Sequence, residues 1–116
     1  MSEYKETVDY ESVINTALTD IYFSRAKITW TKLKPDLEEQ IHRYLSAITS
    51  LTNLITPIIE YKPDLNKPEE LIKNNKYREA VKHLDNTVIE IITKLNEKGL
   101  LLKTEKGVRI GIVHTD

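Results

Sequence analysis

The stretch YREAVKHLDNTVIEIITKLNEKG, Tyr77 to Gly99, decides the fold. Tyr77, Ala80, Val81, Leu84, Val88, Ile91, Ile92 and Leu95 recur at the 3.6-residue period and share one face over about five turns. Lys94 and Lys98 complement the negative C-terminal end of a helix dipole, and Gly99 suits the left-handed cap that closes it. The spacing predicts one continuous helix from about Tyr77 to Lys98.

Beyond Gly99 the period changes to two. Leu100 to Thr104 and Val108 to Val113 flank Glu105-Lys106-Gly107, which predicts a β-hairpin over about 100–113. A lone two-stranded hairpin is marginal in water, so this one is expected to lie on the rest of the protein or to pair with another chain.

Upstream, Asp9 can cap a first helix that runs to about Phe23 on Tyr10, Val13, Ile14, Ala17, Leu18 and Ile21. Arg25 to Lys34 follows, where β-branched residues weaken helix propensity, and this reads as a frayed helix end plus a connector. Pro35 opens a second helix, with Asp36, Glu38 and Glu39 against its positive end and a stripe of Leu37, Ile41, Tyr44, Leu45, Ile48, Leu51, Leu54, Ile55 and Ile58. Pro57 should end or kink it. Residues 60–67 read as a loop, and Pro68 to Asn75 as one or two helical turns. The expectation is a mainly α protein: a small antiparallel bundle of three to four helices with a C-terminal hairpin, one domain over residues 1–116.

Composition narrows the chemistry. The 116 residues contain no cysteine, which removes disulfides, thiolate metal sites and a cysteine nucleophile and fits a reducing, cytoplasmic setting. Met1 to Tyr10 is polar and acidic, and the apolar run from Ile48 to Ile59 is interrupted by polar residues and Pro57, so neither export nor membrane insertion is expected. Net charge is -1; residues 1–65 carry 7 basic against 10 acidic side chains and residues 66–116 carry 10 against 8. The net charge by itself gives no electrostatic reason to expect a nucleic-acid or membrane partner, and the asymmetry between the two parts is mild.

Candidate catalytic residues do not assemble. His42, His83 and His114 are scattered, without a second ligand at metal-binding spacing, and the pairs Glu38-Glu39 and Glu69-Glu70 sit in first helical turns where the dipole accounts for them. The three glycines, at 99, 107 and 111, belong to the cap of the last helix and to the hairpin rather than to a phosphate loop. No enzyme activity, metal or cofactor is expected.

Three local patterns resemble known families. Arg78-Glu-Ala-Val-Lys-His83 has the Arg-x4-His spacing of HEPN-type ribonucleases, which implies a helical bundle whose arginine and histidine act on the RNA phosphate. Glu79 stands where a different polar residue usually follows the arginine, and five residues of helix turn His83 about 140° from Arg78. Thr87-Val88, Leu95 and Lys98-Gly99-Leu100 ahead of the hairpin resemble the recognition helix and wing of winged-helix DNA-binding proteins, which implies a turn near Asp85 to Thr87. The unbroken stripe from Tyr77 to Leu95 opposes such a turn. Lys76 to Leu84 looks like the second helix of a tetratricopeptide unit, but without the repeat that such arrays need.

Tyr22 to Lys34 is the most distinctive composition. It joins Arg25, Lys27, Lys32 and Lys34 to Tyr22, Phe23 and the sole tryptophan, Trp30, and cations with stacking rings suit a phosphate backbone and unstacked bases. Arg25, Lys27, Trp30, Lys32 and Lys34 are therefore the expected nucleic-acid contacts of a non-catalytic accessory protein. The bland alternative has Trp30 and Phe23 capping the bundle while the lysines stay solvated. The rival function is a protein-interaction module, homodimeric through the hairpin edge or an exposed apolar strip.

Overall fold

The computed structural model describes residues 10–99 together with 103–104 and 107–108. Four helices occupy the first range: α1 Tyr10–Trp30, α2 Lys34–Ile55, α3 Asn66–Lys73 and α4 Tyr77–Glu97. The central element is α2, which packs against α1 on one side and α4 on the other, while α3 folds back on α4. A mainly helical bundle is what the periodicity predicts.

Each helix boundary has a local cause. Leu33 is extended and Pro35 lies in the first turn of α2, where the missing N–H costs nothing. Ile55 ends α2 two residues ahead of Pro57, and Thr56 N–H closes the last turn on Thr52 O at 3.0 Å. The short α3 starts earlier than Pro68 because Asp64 Oδ1 accepts from the N–H groups of Asn66 and Lys67 at 3.1 and 3.2 Å. It ends in a Schellman turn: Asn75 adopts φ 62°, its N–H reaches Ile72 O at 3.0 Å, and Lys76 N–H reaches Leu71 O at 2.8 Å. At the end of α4, Gly99 takes φ 69° and donates to Asn96 O at 3.0 Å.

The core draws Ile14, Leu18, Ile21 and Ile28 from α1, Ile41, Tyr44, Leu45, Ile48, Leu51 and Ile55 from α2, Leu71 and Ile72 from α3, and Ala80, Leu84, Val88, Ile91, Ile92 and Leu95 from α4. The stripes of α2 and α4 fall where the 3.6 period places them, and α4 runs without a turn through Asp85 to Thr87. Two buried threonines need no outside partner, since Thr52 Oγ1 donates to Ile48 O and Thr87 Oγ1 to His83 O, each at 2.9 Å.

The largest departure from expectation is the end of α1. Residues 25–30, expected as a frayed end and connector, are helical. Tertiary contacts override the weak propensity there: Ile28 is buried in the core and Arg25 is bonded to α4. Thr31 Oγ1 also closes the last turn on Lys27 O at 2.6 Å. Of the hairpin expected over 100–113, Lys103–Thr104 and Gly107–Val108 are described and pair antiparallel, Lys103 with Val108 and Thr104 with Gly107. The remainder of that expected hairpin lies outside the described residues.

Candidate interaction surface

Because α1 buries Ile14, Leu18, Ile21 and Ile28, the opposite side of the same helix faces solvent, and it is unusually apolar. Phe23 and Trp30, seven residues apart and so nearly in line on a helix, are 65% and 80% exposed, with exposed Ala26 between them and Leu33 at 66% just beyond. Toward the N-terminus, Thr16 and Thr19 continue the face, but their hydroxyls are turned inward to Ser12 O and Asn15 O at 3.0 and 2.9 Å. What they present outward is mainly methyl. Two charges share the face, Asp20 and Lys27.

Alongside this face, a groove of about 570 Å³ runs between α1 and α2, lined by Asp20, Phe23, Ser24 and Lys27 from α1 and by Gln40, Arg43 and neighbours from α2. Gln40 Oε1 is buried beneath it without a hydrogen-bond partner among the described residues. Arg43 is held by Glu39, one turn earlier, at 3.2 Å.

On the far side of α1 lies a polar cluster that joins three helices. Arg25 Nε donates to both carboxylate oxygens of Asp85 at 2.8 and 3.1 Å, and Tyr44 Oη donates to Asp85 Oδ1 at 2.5 Å. Arg25 also reaches Thr29 Oγ1 at 2.9 Å through Nη1. Tyr44 is fully buried, while the Arg25 and Asp85 side chains are 17% and 19% exposed. Burial first, and then the charge and bond of Asp85, push the Tyr44 hydroxyl far above its ordinary 10.0, with Arg25 opposing in part.

That shift has a sign. The unfolded chain ionises this tyrosine near pH 10, whereas the folded chain holds its proton to higher pH. Its stabilising contribution is complete below about pH 10 and declines above it, by at most about 1.4 kcal/mol per pH unit. Tyr44→Phe should flatten the alkaline loss measured by urea denaturation between about pH 9 and 11. An unchanged alkaline slope would show that Tyr44 does not carry it.

The five residues expected to bind nucleic acid thus divide. Arg25 is tied to Asp85, Trp30 is exposed rather than a bundle cap, Lys27 and Lys32 are exposed, and the side chain of Lys34 is outside the described residues. Asp85 and Tyr44, which determine what Arg25 does, were not singled out from the sequence. The available signal was an acid at the edge of the α4 stripe, one residue from Leu84.

Arg78 and His83 lie on one continuous helix, and His83 Nε2 is 3.1 Å from Asp64 O. His42 is 4.0 Å from Glu38, and His114 lies outside the described residues. Among the described residues no group of three or more His, Cys, Asp or Glu could hold a metal ion. No described helix is long and apolar enough to cross a membrane. Set against protein-family models, curated proteins and solved structures, the chain matches none.

Proposed function

We propose that the protein is a non-catalytic assembly module that self-associates through the outer face of α1. The observation that carries this reading is the pair Phe23 and Trp30, exposed in line on a helix face with few charges. A helix apolar on both sides buries both, and tryptophan is among the residues most enriched at the energetic centres of interfaces. A second copy of the chain suits the face because it carries one charge of each sign, Asp20 and Lys27.

The area is near the lower bound for a specific interface. Two aromatic side chains of roughly 150–250 Å² each, mostly exposed, supply about 300 Å² per protomer. With Leu33, Ala26 and the threonine methyls, a symmetric pair approaches the roughly 1,000 Å² that a specific contact needs. A reversible dimer, on the order of micromolar, is the expected outcome. Sedimentation should show the mass rising from one chain to two with concentration, and Trp30→Glu should hold the protein monomeric. A parent protein that stays monomeric at high micromolar concentration sinks the proposal.

Nucleic-acid binding is the second reading, favoured by Trp30 standing exposed near Lys27 and Lys32. It ranks lower because Arg25 is already paired and Asp20 and Glu39 line the adjoining groove. A low-salt gel shift that retards single-stranded DNA or RNA, and that Lys27→Ala with Lys32→Ala weakens, would reverse the ranking. In both readings the setting is cytoplasmic, in keeping with the absence of cysteine, and the hairpin spans 100–113, in keeping with the two-residue period beyond Gly99.

A further inference from the structure

Resting on the self-association reading, we propose that the groove between α1 and α2 is the receptor for Trp30 of a second copy. Trp30 would lie against Phe23, between the cations of Lys27 and Arg43, with its indole N–H donated to the carboxylate of Asp20.

The register follows from the helix. Phe23 and Trp30 lie symmetrically about the midpoint between Ala26 and Lys27. A two-fold axis through that midpoint sets two α1 helices antiparallel and places each Trp30 opposite the Phe23 of the other chain. Ala26, the smallest side chain of the stripe, sits at the crossing, where the helices must approach most closely. The same axis brings the Asp20 end of one helix beside the Lys32 end of the other. A parallel pairing would instead oppose Asp20 to Asp20 and Lys27 to Lys27.

The groove has the chemistry an indole requires. A buried tryptophan needs an acceptor for its N–H. Asp20 lines the groove and makes no hydrogen bond or ion pair among the described residues. Lys27 and Arg43 are cations on its walls, and cations over an indole face attract its quadrupole, more so once water is excluded. Ser24 and Ser46 are small side chains in its lining, and its volume of about 570 Å³ exceeds that of one indole.

Trp30 is the only tryptophan, so its fluorescence reports this site alone. Emission and sedimentation should be measured on the full chain over the same concentration series. The expected result is a blue shift that follows the mass curve. Asp20→Ala should weaken dimerisation by about tenfold or more, as loss of a hydrogen bond to a charged group does, and should lessen the shift. Trp30→Phe, which keeps a ring but lacks the N–H, should weaken the dimer, and adding Asp20→Ala to it should cost little more if the two groups bond. Circular dichroism on each variant separates loss of binding from loss of fold.

A dimer whose tryptophan emission stays that of an exposed indole overturns this inference while leaving self-association standing. A blue shift with strictly additive effects of Asp20→Ala and Trp30→Phe overturns the assignment of Asp20 as acceptor, and with it the receptor proposed. A protein that neither dimerises nor shifts overturns both.

Discussion

Replacing Asp85 with alanine should lower the unfolding free energy by about 3 kcal/mol. The substitution leaves the Arg25 guanidinium and the Tyr44 hydroxyl without their shared acceptor in a largely buried place. Removing one partner of a buried pair typically costs about 3–5 kcal/mol, and the residual exposure of both side chains puts this case at the lower end. The cost belongs to the stranded groups rather than to the ion pair itself. Arg25→Met with Asp85→Leu should therefore unfold closer to the parent than Asp85→Ala alone, because an apolar pair leaves no guanidinium unpaired. Urea midpoints at constant slope provide the comparison. If Asp85→Ala unfolds at the parent's midpoint, the cluster is not what fastens α1 to α4.

Leu84→Ala should cost roughly 2–5 kcal/mol, since Leu84 is fully buried in the face of α4 that meets the rest of the core. Trp30→Ala, by contrast, should move the stability of the monomer by less than about 0.5 kcal/mol, because four-fifths of that side chain is already in water. Measured at a concentration where the chain is monomeric, the two substitutions separate packing from surface. A Trp30→Ala variant that unfolds several kcal/mol earlier would return Trp30 to the role of a bundle cap and remove the basis of the proposed interface.

The helices were legible in proportion to how strongly one face is apolar. In α4 and α2 the stripe is sustained and terminated by Gly99 or Pro57, so period and punctuation agree with the fold. In α1 the pattern is ambiguous because Phe23, Ala26 and Trp30 add apolar residues to the solvent side, and β-branched Ile28, Thr29 and Thr31 argue against a helix. Contacts made by Arg25 and Ile28 with distant parts of the chain settle that segment, and no local rule contains them. The same limit governs the site. Composition drew attention to Tyr22 to Lys34, but Arg25 and its partner Asp85 are 60 residues apart. A lone arginine in a basic stretch reads the same whether it faces phosphate or a carboxylate from another helix.

The order of packing has a kinetic side. α1 meets α2 across a connection of three residues, 31–33, and α3 meets α4 across another three, 74–76, so two of the principal helix pairings are made between immediate neighbours in the chain. Closing such short connections costs little chain entropy, and domains rich in local contacts fold fast. The remaining step joins the two helical pairs: α2 must dock on α4, and Arg25 must find Asp85. Most of the loop-closure entropy therefore falls on one event, the docking of α2 on α4 across the linker from Thr56 to Leu65.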